Sequence, residues 1–235
     1  FEKVDFDKID ISKLPELEQF MLYKIYNLNI NFEKNFKVYN FHTLYKELLN
    51  FCTVDLSAFY FDIRKDSLYC DTLDSSKRKS TIIFLNILIE ILLKWFAPIL
   101  SFTTEEIYSL LKININKSIH LENFASIPSQ WNNRDLKDKW NELIKIREMC
   151  NSSIELKRAA KEIGSSLEAN LIIELNEKMI KFTEGVDFSE LCITSDAKIK
   201  KSKSDETVVQ TIKAEGQKCP VCWKISKDQC ARHSV

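Results

Sequence analysis

The chain has 235 residues, which is long enough to bury a sizeable hydrophobic core. Its 34 Lys and Arg balance 34 Asp and Glu, so the net charge attracts no polyanion and any nucleic-acid surface must be a local patch. With 3 Gly and 4 Pro, glycine-rich phosphate loops and sheet folds that need glycine at their corners are disfavoured, and helices are favoured.

The 7 cysteines are an odd number, and no charged segment followed by an apolar one opens the chain. Both features favour a reducing compartment, and we therefore predict a cytoplasmic protein. The sequence begins at Phe1 without a methionine, which suggests a fragment or a processed chain.

Residues 13–100 have the apolar spacing of successive amphipathic helices. The first apolar stripe is Leu14, Leu17, Met21, Ile25 and Leu28, and the second is Phe41, Leu44, Tyr45, Leu48 and Cys52. Asp55 is the predicted N-cap of the helix that follows, because a short acidic side chain can accept from the first backbone N–H groups.

Residues 81–100 are apolar on nearly every side, and a membrane span must be considered. Glu90 and Lys94 would each cost about 2.5–3.5 kcal/mol at a bilayer centre, and they have the spacing of a helix-surface ion pair. We therefore predict the central helix of a bundle, ended near Pro98. Thr103 and Glu106 have the spacing of a capping box that starts the next helix.

The second half of the sequence predicts a long helix over about 135–163, a strand over 167–175 and another strand over 207–214. The overall prediction is a mainly α protein: a helical bundle, a small α/β unit and a terminal zinc-knuckle segment. The predicted domains are 1–130 for the bundle, 131–195 for the long helix and α/β unit, 196–206 for a linker rich in Lys, Ser and Asp, and 207–235 for the terminal segment.

Four residues near the end have the spacing of metal ligands. They form the pairs C-x2-C and C-x2-H, with seven residues between the pairs: Cys219, Cys222, Cys230 and His233. Four protein ligands close a zinc tetrahedron and leave no position for a catalytic water, so the pattern predicts a structural Zn²⁺ site. The alternative is a chance grouping of reduced cysteines. No catalytic triad or carboxylate pair stands out, and no catalytic residue is assigned.

Basic and aromatic residues surround the predicted ligands. Residues 191–235 contain nine Lys and Arg against five Asp and Glu, although the chain as a whole is neutral. A basic patch with an exposed aromatic side chain is typical of RNA binding. The candidates here are Lys218, Trp223, Lys224 and Arg232. Trp223 can equally cover the apolar side of the metal site.

The run from Asp55 to Asp71, Asp-Leu-Ser-Ala-Phe-Tyr-Phe-Asp-Ile-Arg-Lys-Asp-Ser-Leu-Tyr-Cys-Asp, resembles bacterial-type isoleucyl-tRNA synthetases, which are class I aminoacyl-tRNA synthetases. Further segments similar to that family occur in its order along the chain: Leu14–Leu17, Ala97–Ile107, Ser118–Leu121, Ile163–Ala169 and Lys218–Trp223. The resemblance covers essentially the whole chain and does not depend on one motif.

The resemblance implies an anticodon-binding helical bundle from a monomeric parent enzyme. That enzyme joins isoleucine to tRNA through an adenylate formed with ATP and Mg²⁺. Its catalytic half is absent from this sequence, so the resemblance implies a C-terminal piece that holds the anticodon stem-loop of isoleucine-accepting tRNA. The family usually has two cysteine pairs with a longer loop between them, whereas here only seven residues intervene and His233 takes the place of a cysteine.

Further RNA contacts are predicted on the basic side of the long helix, at Arg147, Lys157, Arg158 and Lys161. Arg64 and Lys65 can equally contact RNA or pair with Asp62 or Asp66. The alternative function is a free-standing zinc-knuckle RNA-binding or scaffold protein, which the upstream coding sequence would distinguish. A valyl or leucyl enzyme is disfavoured by the cysteine tail and by the Asp55 to Asp71 run.

Overall fold

The computed structural model describes residues 5–111, 117–230 and 232–233. Two compact units make up the chain, the first ending at Asn133 and the second beginning at Arg134. The predicted fold class, mainly α with a small sheet and a terminal Cys/His cluster, is confirmed.

Every secondary-structure element in the described part of the first unit is a helix. They are α1 (Glu16–Lys37), α2 (Phe41–Asn50), a π-helix (Phe51–Phe61), α3 (Asp62–Cys70), α4 (Ser76–Phe96) and α5 (Ser101–Leu110). Single 3-10 turns occur at Phe6–Lys8, Ile11–Lys13, Ile119–Leu121 and Ser129–Trp131.

The core of this unit is built on α4, as the apolar run predicted. Phe84, Ile87, Ile91 and Trp95 on α4 are fully buried, and α1, α3 and α5 pack against this helix. The predicted ion pair forms, with 2.9 Å between Lys94 Nζ and Glu90 Oε1. No helix in the described part of the chain is both long enough and apolar enough to cross a membrane.

A buried network joins α1 to α3 and to the π-helix. Arg64 donates from Nε and Nη2 to the two carboxylate oxygens of Glu18, at 2.6 and 2.7 Å, and Tyr60 OH donates to the same carboxylate at 3.0 Å. Burial first, and then the charge of Glu18, raise the pKa of Tyr60 above its usual value, so this hydroxyl stays a donor. Lys65 instead pairs with Asp62, one of the two partners predicted for it.

Two predicted helix caps are wrong. Asp55 lies inside the π-helix, where its carboxylate accepts from Lys24 Nζ at 2.7 Å, because the chain stays helical from α2 onward. Thr103 also lies inside a helix, since α5 begins at Ser101 without a side-chain cap. Both residues have a capping side chain, but the helix boundary lies elsewhere.

The second unit begins with α6 (Arg134–Ala159) and continues as a small α/β body. Its elements are β1 (Ala169–Leu175), α7 (Glu177–Thr183), α8 (Phe188–Leu191), β2 (Asp196–Lys201) and β3 (Val208–Lys213), followed by the short strands β4 (Gln217–Lys218) and β5 (Ile225–Ser226). β1 is the middle strand of the order β2-β1-β3, parallel to β2 and antiparallel to β3. Ser153 on α6 hydrogen-bonds Thr211 on β3, with 2.7 Å between the hydroxyls.

The structure differs from the predicted linker over 196–206. Residues 196–201 form strand β2, which pairs with β1 from Asn170↔Asp196 to Leu175↔Lys201. Ala197 and Ile199 are half-buried while Lys198, Lys200 and Lys201 are exposed, so this edge strand buries little and has the composition of a linker. The terminal segment belongs to the same compact unit as β2.

Candidate functional site

A tight hairpin brings the first cysteine pair together. β4 and β5 are antiparallel, with Lys218 opposite Ile225, and the backbone N–H of Cys219 donates to the carbonyl of Lys224 at 2.9 Å. Trp223 closes the turn with φ 64°, and its N–H donates to the carbonyl of Cys219 at 3.0 Å. The backbone therefore turns sharply between Cys219 and Trp223, which directs both sulfur atoms to one side.

The four predicted ligands, Cys219, Cys222, Cys230 and His233, converge in space. Their ligand atoms all lie within 4.8 Å of one another. His233 Nδ1 is 3.6 Å from the Sγ of Cys219 and 3.6 Å from that of Cys230, and the Sγ atoms of Cys222 and Cys230 are 3.8 Å apart. A disulfide bond is about 2.05 Å long, so this last distance separates two thiols.

These distances fit one metal ion. Tetrahedral bonds of about 2.3 Å to sulfur and about 2.0–2.1 Å to nitrogen place two sulfur atoms about 3.8 Å apart, and sulfur and nitrogen about 3.6 Å apart. The three distances given above match these spacings, all four ligand atoms lie within 4.8 Å of one another, and the donor set is three thiols and one imidazole. It could therefore hold a metal ion with four protein ligands, as the spacing in the sequence predicted.

The backbone around the cluster favours thiolates at two of its cysteines. Hydrogen bonds from the backbone of Cys222, and then of Val221, lower the pKa of Cys219 to about 6. Burial raises the pKa of Cys230, but backbone hydrogen bonds from Arg232 and His233 outweigh it and the pKa is lowered. Burial raises the pKa of Cys222 to about 11. Thiolates are the form that binds a metal ion.

Serine hydroxyls attach this hairpin to the α/β body of the same unit. Ser195 Oγ accepts from the backbone N–H of Ile225 at 2.7 Å and donates to the carbonyl of Leu167 at 2.5 Å. Ser189 Oγ accepts from Lys224 Nζ at 3.1 Å. Sequence reasoning missed both serines, because each contact joins residues 28 to 35 positions apart and no local pattern marks it.

The hairpin presents one aromatic side chain to solvent. Trp223 is 58% exposed, and Lys218 Nζ lies 5.2 Å from its ring centroid. This is within the ~6 Å of a cation–π contact, so an exposed ring and a positive charge occur together. Arg232 is exposed on the same segment, whereas Lys224 is half-buried against Ser189. Three of the four residues predicted to contact RNA in the terminal segment, Lys218, Trp223 and Arg232, are therefore exposed to solvent.

Three of the four RNA contacts predicted on the long helix have partners within the protein. Lys157 Nζ is 2.9 Å from a carboxylate oxygen of Glu162, and Arg158 Nη1 is 2.5 Å from one of Glu155. Half-buried Arg147 donates from Nε to the carbonyl of Leu191 at 2.9 Å. Lys161 is exposed just beyond the helix, with φ 57°. Arg147 thus stabilises the packing of α6, and a phosphate would have to displace a carboxylate at Lys157 or Arg158.

Comparison with known protein families assigns this chain to one of them. The family described as the anticodon-binding domain of tRNA ligase matches residues 18–173. The chain belongs to this family of tRNA ligase domains.

The individual relatives that match this chain are isoleucine–tRNA ligases. Isoleucine–tRNA ligase of Pelagibacter ubique is 61% identical over 234 residues, which cover 100% of this chain and 26% of the relative. The isoleucine–tRNA ligases of Bartonella quintana and Agrobacterium fabrum are 37% and 36% identical over 233 residues, covering 94% of this chain and 24% of each relative. The resemblance carried by the Asp55 to Asp71 run is confirmed, and the chain spans about a quarter of the length of these curated relatives.

Proposed function

We propose that this chain is the tRNA-binding, anticodon-recognising part of an isoleucine–tRNA ligase. In this role it positions isoleucine-accepting tRNA for ATP-dependent aminoacylation by a catalytic half outside the chain. The observation that supports the proposal most directly is the match to isoleucine–tRNA ligases over the whole chain, from the helical unit to the metal cluster. ATP and Mg²⁺ would serve the catalytic half of a cytoplasmic, monomeric parent enzyme.

The contribution of such a part to catalysis is geometric. Holding one end of a bound substrate in place removes much of the entropy cost of bringing the reacting end to a distant active site. RNA loops are recognised by stacking of unpaired bases and by hydrogen bonds to their edges, while Lys and Arg bind phosphates. The exposed Trp223 ring, with Lys218 beside it, has the chemistry for both kinds of contact.

Zinc is the metal that fits the cluster of the terminal hairpin. Cys219, Cys222, Cys230 and His233 would hold it, and with four protein ligands its chemistry is structural. The ion would fix the turn that presents Trp223. Elemental analysis of purified protein tests this: we expect about one Zn²⁺ per chain and a clear loss in Cys222→Ser. Absence of metal from the unaltered protein would exclude the site.

Binding of isoleucine-accepting tRNA tests the proposed function, with valine-accepting tRNA as the comparison. We expect tighter binding of the isoleucine tRNA and a log–log salt dependence whose slope steepens by about 0.7–0.9 for each phosphate contact. Equal affinity for the two tRNAs, or a flat salt dependence, would contradict anticodon recognition by this chain.

A substitution on the hairpin locates the contact. Trp223→Ala should weaken tRNA binding by about tenfold, since stacking on one base is worth about 1–3 kcal/mol. Val221→Ala, which also shortens an exposed apolar side chain of the same turn, is the matched control and should bind as the unaltered chain does. If both variants bind equally well, Trp223 only covers the metal site.

A further inference from the structure

The metal cluster can fix the shape of the terminal hairpin but not its orientation. All four candidate ligands lie between Cys219 and His233, so a metal ion bound by them would make no bond to the α/β body. Strands β4 and β5 have two residues each, and a two-stranded hairpin is only marginally stable on its own. Contacts with the α/β body are therefore needed to orient the hairpin.

Ser195 connects three segments of the second unit. Its backbone N–H donates to the carbonyl of Ala169 at 3.0 Å, which fixes the residue beside β1, just before β2. Its Oγ donates to the carbonyl of Leu167 at 2.5 Å and accepts from the backbone N–H of Ile225, on β5, at 2.7 Å. A serine hydroxyl has one donor and two acceptor lone pairs, so both bonds can form at once.

The strand that leads into the hairpin is attached at the same place. Ala214 follows β3, and its backbone N–H donates to the carbonyl of Glu168 at 2.7 Å. Glu168 and Leu167 belong to one 3-10 turn, Ser166–Glu168. The chain before β4 is therefore hydrogen-bonded to this turn directly, and β5 is hydrogen-bonded to it through the hydroxyl of Ser195.

Trp223 lies only two residues from the Ser195 contact at Ile225. The N–H of Trp223 donates to the carbonyl of Cys219 at 3.0 Å, and the N–H of Cys219 donates to the carbonyl of Lys224 at 2.9 Å. These bonds join the turn to β5, so a displacement of Ile225 would move the exposed Trp223 ring with it.

We propose that Ser195 is a positioning residue for tRNA binding: its hydroxyl orients the terminal hairpin so that the ring of Trp223 can stack on an RNA base. The inference rests on the proposed function, because it assigns to Ser195 a role in the RNA contact of Trp223. Ser195 itself need not touch RNA, and its role does not depend on binding the metal.

Removal of this hydroxyl should loosen the hairpin without unfolding the unit. Lys224 Nζ donates to Ser189 Oγ at 3.1 Å and provides a second link to the α/β body. Ser195 is half-buried, so water can reach the N–H and the carbonyl that Ser195→Ala would leave without a partner. The hairpin would then have to be ordered when RNA binds, and this cost lowers the affinity.

A double-mutant cycle on the binding of isoleucine-accepting tRNA tests the inference. Fluorescence anisotropy titrations compare the 235-residue chain with Ser195→Ala, Trp223→Ala and the double variant. We expect Ser195→Ala to weaken binding about fivefold and Trp223→Ala about tenfold. The double variant should lie within about twofold of Trp223→Ala, because no stacking ring is left to orient. Independent roles would instead multiply to about fiftyfold.

Three measurements separate positioning from damage to the fold or to the metal site. Ser195→Ala should contain as much zinc as the unaltered protein in elemental analysis. Peptides containing Ile225 should exchange hydrogen faster, because this N–H loses its acceptor. Ser152→Ala removes an exposed hydroxyl that bonds only within α6 in the described structure, at 2.9 Å to the carbonyl of Glu148, and as the matched control it should bind tRNA normally.

The outcomes separate this inference from the proposed function. It is overturned if Ser195→Ala binds tRNA as tightly as the unaltered chain, if this variant loses zinc, or if the double variant shows the full product of the two losses. If Trp223→Ala has no effect while isoleucine tRNA is still preferred, the inference is also overturned but the proposed function stands. If the unaltered chain binds no tRNA, both are overturned.

Discussion

The buried network of Glu18, Arg64 and Tyr60 makes a quantitative prediction about stability. The side chains of Arg64 and Glu18 are 4% and 0% exposed, and two short hydrogen bonds join them. Arg64→Met would leave the carboxylate of Glu18 buried without its cation. Breaking a buried pair in this way costs about 3–5 kcal/mol, which is a large share of the stability of a typical domain.

Two further variants test whether the loss of stability comes from the uncompensated charge of Glu18. Glu18→Gln combined with Arg64→Met removes both charges but keeps an acceptor for Tyr60, so the double variant should be more stable than Arg64→Met alone. Lys65→Met, next to Arg64 on α3, breaks an ion pair whose side chains are 55% and 36% exposed and should cost no more than about 1 kcal/mol.

Hydrogen exchange measured by mass spectrometry is the appropriate assay, because peptides from the two units are followed separately and a single unfolding transition is not assumed. We expect faster exchange across α1 and α3 in Arg64→Met, partial recovery in the double variant, and little change in Lys65→Met. If Arg64→Met exchanged no faster than Lys65→Met, the buried pair would stabilise the bundle no more than the exposed pair does.

Two other substitutions test local features. Gly216 has φ 127°, and a Cβ there would lie 2.0 Å from the carbonyl oxygen of Ser226, so Gly216→Ala should disrupt the metal hairpin and reduce bound zinc in elemental analysis. Gly185→Ala has a positive φ but an open site and should leave zinc unchanged; equal zinc in both variants would contradict the clash. Asn29→Leu removes the acceptor of the buried Trp95 Nε1–H, at 3.1 Å, and should cost about 1–3 kcal/mol in urea unfolding followed by tryptophan fluorescence. An unchanged midpoint would show that this indole needs no partner.

The sequence predicted those features whose causes are local. The helices of the bundle follow from apolar spacing, and the metal ligands follow from two short pairs, because each pair needs only one turn of the chain. β2 was missed although Ala197 and Ile199 alternate with lysines, since the Lys-rich composition hid a pattern with a period of two. The alternation of apolar residues and lysines was the sequence signal that could have predicted this strand.

Other features depend on residues far apart in the chain. Arg147 was assigned to RNA, yet its acceptor is the carbonyl of Leu191, 44 positions away. The packing of α2 against α1 joins separate segments of the chain, and the π-helix has no recognised sequence signature. Glu155, the acidic partner of Arg158, is three positions away on α6 and was readable as a helix-surface pair. Glu162, the partner of Lys157, is five positions away and lies beyond the end of α6.

The π-helix also limits which changes of chain length this part of the protein tolerates. It spans Phe51–Phe61, with Asp55 bound to Lys24 near its middle and Arg64 bound to Glu18 just after its end. Inserting or deleting one residue between these two attachments would shift Arg64 around the helix axis relative to Asp55, by up to about 100° in α-helical geometry. One attachment would then be lost, so insertions and deletions should accumulate outside this segment during evolution.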